Sequence, residues 1–482
     1  MMHRSSILAV GTLLLLAGCT VGPNYKAPET VSDTQWPEPL EGGLSTGSPD
    51  LREWWRGFSD PMLDSLVDQA LVGSLDLRQA AARVKEARAV RGIVAADQFP
   101  TVDMSGAASY SRASENSFGG PSGAPGEDAD LYDIGFDATW EVDLFGRVRR
   151  SVEAADADVA AAVESQRDAR VVLVAEVARN YVEYRSAQAR LEIADQNVRT
   201  QRDTLGLSED RLRAGLATDL QVSQAKAQLE ATRAQIPPLR MALKAAAFRL
   251  DILLGLKPGT LAPVLGSGAA VPPTPAQAPI GLPAELLRRR PDIRSAERAL
   301  AAATARIGVA KADLYPRLTL SGSFGLESED FGNLFEGSSS TWSAGPVAVR
   351  WPVFDAGRIR STVIAREAQQ EQALLTYEQT VLRAYEEVAN ALVAYAQVRE
   401  RRDSLALAVK ADQDAVDLAN DLWTRGLTDF LNVLETQRAL FLLQDQLAAS
   451  DAAVTTSLVA LYKALGGGWE EPETEAPKPG SM

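Results

Sequence analysis

Hydrophobic and polar positions change rhythm several times along this chain. From Leu131 to Asp143 they alternate: Tyr132, Ile134, Phe136, Ala138, Trp140 and Val142 take one side, and Asp133, Gly135, Asp137, Thr139, Glu141 and Asp143 the other. A period of two predicts a strand, here apolar on one face and acidic on the other. Thr101–Ser111 repeats the pattern with Val102, Met104, Gly106, Ala108 and Tyr110, and Arg317–Leu326 with Leu318, Leu320, Phe324 and Leu326. In Trp342–Phe354 the apolar face is Val347, Val349, Trp351 and Val353, although Pro346 weakens that strand.

After Gly146 the alternation gives way to charged, alanine-rich sequence that reads as helix. Arg147–Ala214 contains no proline and has Gly206 as its one glycine, and Arg358–Arg425, equally long, has neither. At about 1.5 Å per residue each would reach roughly 100 Å, which predicts coiled-coil or helical-barrel packing rather than a globular core. Return helices are expected over Asp219–Leu254 and Phe430–Leu465, and shorter helices over Pro61–Gln98 and Ala284–Leu314. Pro237-Pro238 predicts a kink or break in the first return helix.

These elements occur twice. "GIVAADQFPTVDMSG" (Gly92–Gly106) aligns without gaps on "GVAKADLYPRLTLSG" (Gly308–Gly322). "WEVDLFGRVRRS" from Trp140 aligns on "WPVFDAGRIRST" from Trp351, and "RAGLATDLQV" from Arg213 on "TRGLTDFLNV" from Thr424, at a common and slightly shorter separation. A period this long is domain-scale duplication rather than a solenoid repeat. The expected organisation is residues 1–18 as signal peptide, 19–60 as an extended lipidated segment and 61–255 as the first repeat. A proline-rich linker follows over 256–283, then the second repeat over 284–466 and an acidic, disordered tail over 467–482.

The signal peptide rests on "MMHRSSILAVGTLLLLAGCT": a basic start, a short apolar run and small residues before Cys19. "LAGC" resembles a bacterial lipobox, which implies cleavage before Cys19 and lipid attachment to it. His3 is the only histidine and Cys19 the only cysteine, so the mature chain would lack the commonest general base and the soft metal ligands. No enzyme motif appears, and a net charge of −15 without a basic patch argues against nucleic acid. The reading is therefore not an enzyme, with no cofactor and no metal.

Strands of about ten residues with aromatics near their ends carry the transmembrane β-barrel signature. Four strands are too few to close a barrel in lipid, so several chains must contribute. Eight strands from a dimer would leave no channel, whereas twelve from a trimer would leave a pore. The fold class expected is thus an α+β membrane protein with four transmembrane strands per chain. They would join a trimeric 12-stranded β-barrel continued by a long α-helical coiled-coil barrel. Asp133, Asp137, Glu141 and Asp143 would line its lumen and favour cations.

"CTVGPNYKAPE", "EWWRGFSDPMLDSLVDQAL" (Glu53–Leu71) and "GLPAELLRRRPDIRSAERAL" (Gly281–Leu300) resemble the TolC/OprM/NodT family of outer-membrane efflux lipoproteins. The resemblance runs from Cys19 to about Leu465. It implies a homotrimer lipid-anchored in the outer membrane of a Gram-negative bacterium, with a helical tunnel in the periplasm. Its partners would be outer-membrane lipid, a periplasmic adaptor and an inner-membrane pump of the proton-driven RND type. The family's adaptor-docking tips fall on Gly215, Leu216 and Thr218, and on Gly426, Leu427 and Thr428. Its periplasmic gate falls on Leu431, Asn432 and Glu435, where many members carry Asp in place of Glu435. The tip glycines also suit plain helix C-caps, and Glu435 a solvated helix face. The function implied is the exit duct of a tripartite efflux system for small molecules such as drugs. The alternatives are a type I protein-secretion duct and a periplasmic scaffold or lipoprotein enzyme without a pore.

Overall fold

The computed structural model describes residues 20–28, 36, 40–45, 47, 51–112, 114, 116, 128–266, 270–275, 277–281 and 289–470. The signal segment, Cys19 and residues 471–482 lie outside them, as does part of the Gly281–Leu300 motif. Helices are α1 (Pro61–Gly73), α2 (Leu75–Ala96), α3 (Arg147–Arg213), α4 (Asp219–Arg233), α5 (Ile236–Leu253), α6 (Pro291–Ala312), α7 (Arg358–Thr424) and α8 (Phe430–Ala464). Strands β1 (Thr101–Arg112), β2 (Asp128–Val142), β3 (Arg317–Ser328) and β4 (Ser340–Arg350) form one sheet. Among the described residues no helix is long and apolar enough to cross a membrane.

The duplication extends to element boundaries. β1 and β3 have 12 residues each, α2 and α6 have 22, and α3 and α7 have 67. Each long helix thus stops one residue earlier than its sequence pattern suggests, because the chain turns into a glycine cap. Two tryptophans repeat a contact as well. Trp140 Nε1 donates to Gln98 O at 3.1 Å and Trp351 Nε1 to Leu314 O at 3.0 Å, tying each repeat's helix end to its strand pair.

The return helices show where the copies diverge. α8 is continuous over 35 residues, whereas its counterpart divides into α4 and α5 at Ala234-Gln235. The break precedes Pro237-Pro238, which occupy the first turn of α5. There a missing N–H costs nothing, while the proline rings would clash with a preceding helical turn. The short leading helix is also interrupted, at Ser74, after Gly73.

The chain divides into two compact units. One comprises Met1–Glu29, Arg83–Ala162 and Ser295–Tyr377 and holds the sheet. Its strands are antiparallel in the order β1-β2-β3-β4. The register keeps apolar residues together: Met104 faces Phe136, Phe136 faces Phe324, and Phe324 faces Trp342. Trp342 is even-numbered while Val347 and Val349 are odd, yet all lie opposite apolar β3 residues. A register shift between Leu320 and Gly322 admits one extra residue in β4 and restores the face. It falls beside Pro346, on an outer strand where a missing N–H is tolerated. β4 ends at Arg350, so Trp351 and Val353 lie beyond it rather than within it, since Pro352 has no N–H for the ladder.

In the same unit the N-terminal segment is fastened to the start of α3. Val21 N donates to Phe145 O at 3.1 Å, and the nearly buried Arg150 donates to Val21 O at 3.2 Å and to Asn24 Oδ1 at 2.7 Å. Gly22 passes so close to Gly308 that a Cβ on it would sit 2.5 Å from the Gly308 Cα.

The other unit comprises Thr30–Ala82, Val163–Arg294 and Glu378–Met482. Its core packs Trp54, Trp55 and Phe58 with Leu66 of α1, Tyr181 of α3, Leu250 of α5, Tyr395 of α7 and Leu458 of α8. Asp60 caps α1, accepting from Met62 N at 2.9 Å and Leu63 N at 3.1 Å. Its second oxygen accepts from Tyr181 Oη at 2.9 Å, and Tyr181 in turn accepts from Arg185 Nε at 2.9 Å. Burial pushes the Tyr181 phenol up to about 12. The linker lies against helices, with Thr455 Oγ1 donating to Pro272 O at 3.0 Å and Ala278–Pro279 pairing in parallel with Leu44–Ser45. Gly467–Glu470, read from the sequence as the start of a tail, are packed: Gly468 N donates to Leu51 O at 2.8 Å and Trp469 Nε1 to Arg289 O at 3.1 Å. Tryptophan burial outweighs the local glycine-rich composition.

Two outcomes follow. Tyr181→Phe should destabilise the protein by about 1–3 kcal/mol in denaturant titration, because it strips the partly buried Asp60 carboxylate and the buried Arg185 guanidinium of a shared partner. Asp168, partly buried, has its carboxyl raised to about 6 by burial first and then by Asp292, against the opposing pull of Arg290 and Lys463. A carboxyl raised on folding stabilises fully below its unfolded value and loses that contribution as pH rises through about 6. Asp168→Asn should therefore raise the Tm at pH 7.5 by the equivalent of about 1–2 kcal/mol and leave it nearly unchanged at pH 4.

Candidate functional site

Three surfaces carry the residues singled out by sequence. The first is the sheet. Its apolar side is bare in the chain, with Phe324 60% and Trp342 74% exposed. On the opposite side Asp133 and Asp137 lie within β2, where the alternation places them. Ser105 Oγ donates to Asp137 Oδ2 at 3.1 Å, and Ala107 N to Asp133 Oδ2 at 3.0 Å. The register adds two acids that the sequence reading did not include. Asp103 faces Asp137 and Glu327 faces Asp133. Adjacent like charges cost stability in a sheet and intensify the local negative field.

Glu141 and Asp143 behave differently. Arg147 forks onto Glu141 with two contacts of 2.8 Å, and Arg149 Nε meets Asp143 Oδ2 at 3.2 Å. Both arginines belong to the first turn of α3, placed there by the tight turn after Gly146. These two acids are therefore neutralised at the strand end, and the uncompensated charge lies on Asp103, Asp133, Asp137 and Glu327. Among the described residues no group of three or more His, Cys, Asp or Glu is arranged to hold a metal ion.

The second surface is the pair of helix reversals. Gly215 has φ +73° and Gly426 φ +74°, in the left-handed region that glycine enters without penalty. Leu216 N donates to Arg211 O at 2.8 Å and Gly215 N to Leu212 O at 2.9 Å. The second reversal repeats this, with Leu427 N on Leu422 O at 2.8 Å and Gly426 N on Trp423 O at 3.0 Å. Both are Schellman caps. Leu216 is 68% and Leu427 70% exposed, an unusual place for leucine at the end of a hairpin.

The two reversals differ in how the return helix starts. Thr218 caps α4 in a capping box, its hydroxyl accepting from Gln221 N while Gln221 Oε1 accepts from Thr218 N at 3.0 Å. Thr428 stands one position earlier in the repeat, and Asp429 occupies the N-cap without a side-chain hydrogen bond. Thr428 Oγ1 instead accepts from Asn432 Nδ2 at 2.7 Å.

The third surface begins there. Leu431, Asn432 and Glu435 are exposed on one side of α8, while Val433, Leu434 and Gln437 are buried on the other. Their i, i+4 spacing gives Leu431 and Glu435 a common face. Asn432 is held by Thr428, and Arg438 stands 4.0 Å from Glu435 in a solvent-exposed pair of little energetic weight. Behind this face lies a cluster that sequence reading missed. Trp423 packs on Phe430 with centroids 5.0 Å apart, and the Arg211 guanidinium lies 4.7 Å from the Trp423 ring. Ala225, Val433 and Leu434 complete it. The signal was available: Trp423 and Phe430 are large aromatics close on either side of a reversal glycine.

A chain with these surfaces has close relatives. The family model described as outer membrane efflux protein matches residues 66–256 and 282–467. The solvent efflux pump outer membrane protein SrpC of Pseudomonas putida is 34% identical over 469 residues, 96% of this chain and 98% of that protein. The cation efflux system protein CusC of Escherichia coli O6:H1 is 31% identical over 473 residues, 98% of this chain and 100% of that protein. Among solved structures, the outer-membrane channel OprN superposes with a TM-score of 0.88 at 38% identity, covering 94% of this chain and 100% of that one.

A Cβ at Gly215 or Gly426 would meet no atom within 4 Å, so alanine there tests backbone conformation alone. Gly215→Ala and Gly426→Ala should each cost about 1–2 kcal/mol in denaturant titration, the penalty for a left-handed non-glycine residue. Leu216→Ser and Leu427→Ser, at largely exposed positions, should stay within about 0.5 kcal/mol of the parent.

Proposed function

Because the chain belongs to the outer membrane efflux protein family, we propose that it is the outer-membrane exit duct of a tripartite efflux system, passively conducting small molecules outward. The observation that carries this reading is the sheet: four long antiparallel strands with an uncovered apolar face and two unpaired outer edges, β1 and β4. A strand edge in hydrocarbon leaves N–H and C=O groups without partners, so the sheet must close on others. β4 of one chain pairing with β1 of the next satisfies both edges. Three chains give twelve strands and a water-filled lumen, so the assembly proposed is a homotrimer.

In that assembly the apolar face meets outer-membrane lipid and the acidic face meets the lumen, where Asp103, Asp133, Asp137 and Glu327 favour cations over anions. Cys19 carries the lipid anchor. The exposed leucines and glycine turns at Leu216 and Leu427 dock on a periplasmic adaptor, which links the duct to a proton-driven inner-membrane pump. Leu431 and Glu435, three copies each, form the constriction at the periplasmic mouth. Relatives of similar identity are named for solvents and for cations, which fits a duct whose cargo is chosen by the pump. Their efflux names also turn the reading away from protein secretion.

A strain lacking the gene should accumulate dye and antibiotic, and the wild-type chain should restore low accumulation. The Leu216→Ser/Leu427→Ser double variant should insert normally and fail to restore export. Wild-type accumulation with that variant would remove the docking role. In planar bilayers Glu435→Gln should lower cation-over-anion selectivity by about twofold or more, as expected where a carboxylate ring sets the field in a narrow mouth. Unchanged selectivity would place the constriction elsewhere.

A further inference from the structure

The unit that contains Trp54 and Trp55 also holds a cavity of about 540 Å³ that no part of the duct reading uses. Leu77, Val163 and Trp469 supply an apolar wall, and Arg78, Arg167 and Arg170 supply charge. No carboxylate is among its described lining residues. The wall is firmly built: Trp469 Nε1 is tied to Arg289 O, and the guanidinium groups of Arg167 and Arg294 lie over the indole at 4.8 and 5.3 Å.

The three lining arginines are not equally satisfied. Arg167 pairs with Glu164 at 2.7 Å. Arg170 has its Nε shielded from solvent without any hydrogen-bond partner, and Arg78 enters no ion pair among the described residues. A guanidinium cannot shed its proton to relieve burial, so the shielded Nε of Arg170 calls for an acceptor of negative charge, and the exposed Arg78 at the same wall adds a second cation. Its planar fork fits a carboxylate in particular.

We propose that this cavity binds a carboxylate-bearing group with an apolar flank, the carboxylate on Arg170 and Arg78 and the flank against Trp469. Two sources share that chemistry. One is the chain's own segment after Glu470, "EPETEAPKPGSM", which starts two residues beyond Trp469 and carries Glu471, Glu473 and Glu475. Tethering would give it an effective concentration on the order of millimolar. The other is a free amphipathic carboxylate.

The test compares the intact protein in detergent with a chain truncated after Glu470, which removes no described residue. Each is titrated calorimetrically with octanoate and with the synthetic peptide EPETEAPKPGSM. A tethered occupant predicts that the truncated chain binds both probes, while the intact chain binds octanoate at least tenfold more weakly. A free occupant predicts equal octanoate affinity in both chains. In either case binding weakens with added salt and falls at least tenfold in Arg170→Gln and in Arg78→Gln. Should Arg170→Gln disturb folding, Arg78→Gln still decides, because its side chain is exposed and holds nothing in place. Absence of binding by both probes to the truncated chain would overturn the proposal, as would affinity unchanged by Arg78→Gln.

Discussion

A β-sheet with two outer strands leaves a row of N–H and C=O groups unpaired on each, and the chain's architecture turns on that fact. β1 and β4 are long, largely exposed and apolar on one side, which in water invites uncontrolled pairing. In lipid the same groups have no solvent to bond with. The proposed closure of several chains into one barrel meets both demands with a single kind of contact. The bulge beside Pro346 answers to the same constraint: it keeps Trp342 on the apolar face although the proline interrupts the ladder of an outer strand.

Duplication supplies the parts in matched pairs, and small sequence differences make the two copies structurally unequal. The glycine reversals at Gly215 and Gly426 share their cap geometry, with φ of +73° and +74°. Only the second is flanked by two large aromatics, Trp423 and Phe430, and Arg211 of the first copy lies over Trp423. The first return helix is divided before Pro237, and the second, which carries Leu431 and Glu435, is unbroken. The proposed constriction thus falls on the copy whose return helix is continuous over 35 residues.

Arginine placement then settles which charges act. Arg147 and Arg149 neutralise Glu141 and Asp143 at the end of β2, whereas the acids deeper in the sheet have only hydroxyl or backbone donors. Arg150 commits its guanidinium to the segment that follows Cys19. Arg290, from the "RRRPDI" part of the Gly281–Leu300 stretch, joins Asp292 and Glu387 at 2.7 Å each and Ala464 O at 2.8 Å, a structural role for one of the motifs that carried the resemblance.

The period of two in Leu131–Asp143, the two proline-free helices and the recurrence of Gly92–Gly106 at Gly308–Gly322 were enough to determine the elements, their duplication and the faces of the strands. These are local properties: alternation, propensity and breakers act within a few residues of one another. Register, by contrast, is a long-range quantity. Only pairing across the sheet placed Asp103 and Glu327 beside Asp137 and Asp133, and only packing brought Arg211 over Trp423 or drew Gly467–Glu470 out of an apparent tail. The charges of Glu141 and Asp143 looked available in the sequence. The first turn of α3 returned an arginine to each, and the geometry of that turn, not the composition, decided that they were neutralised.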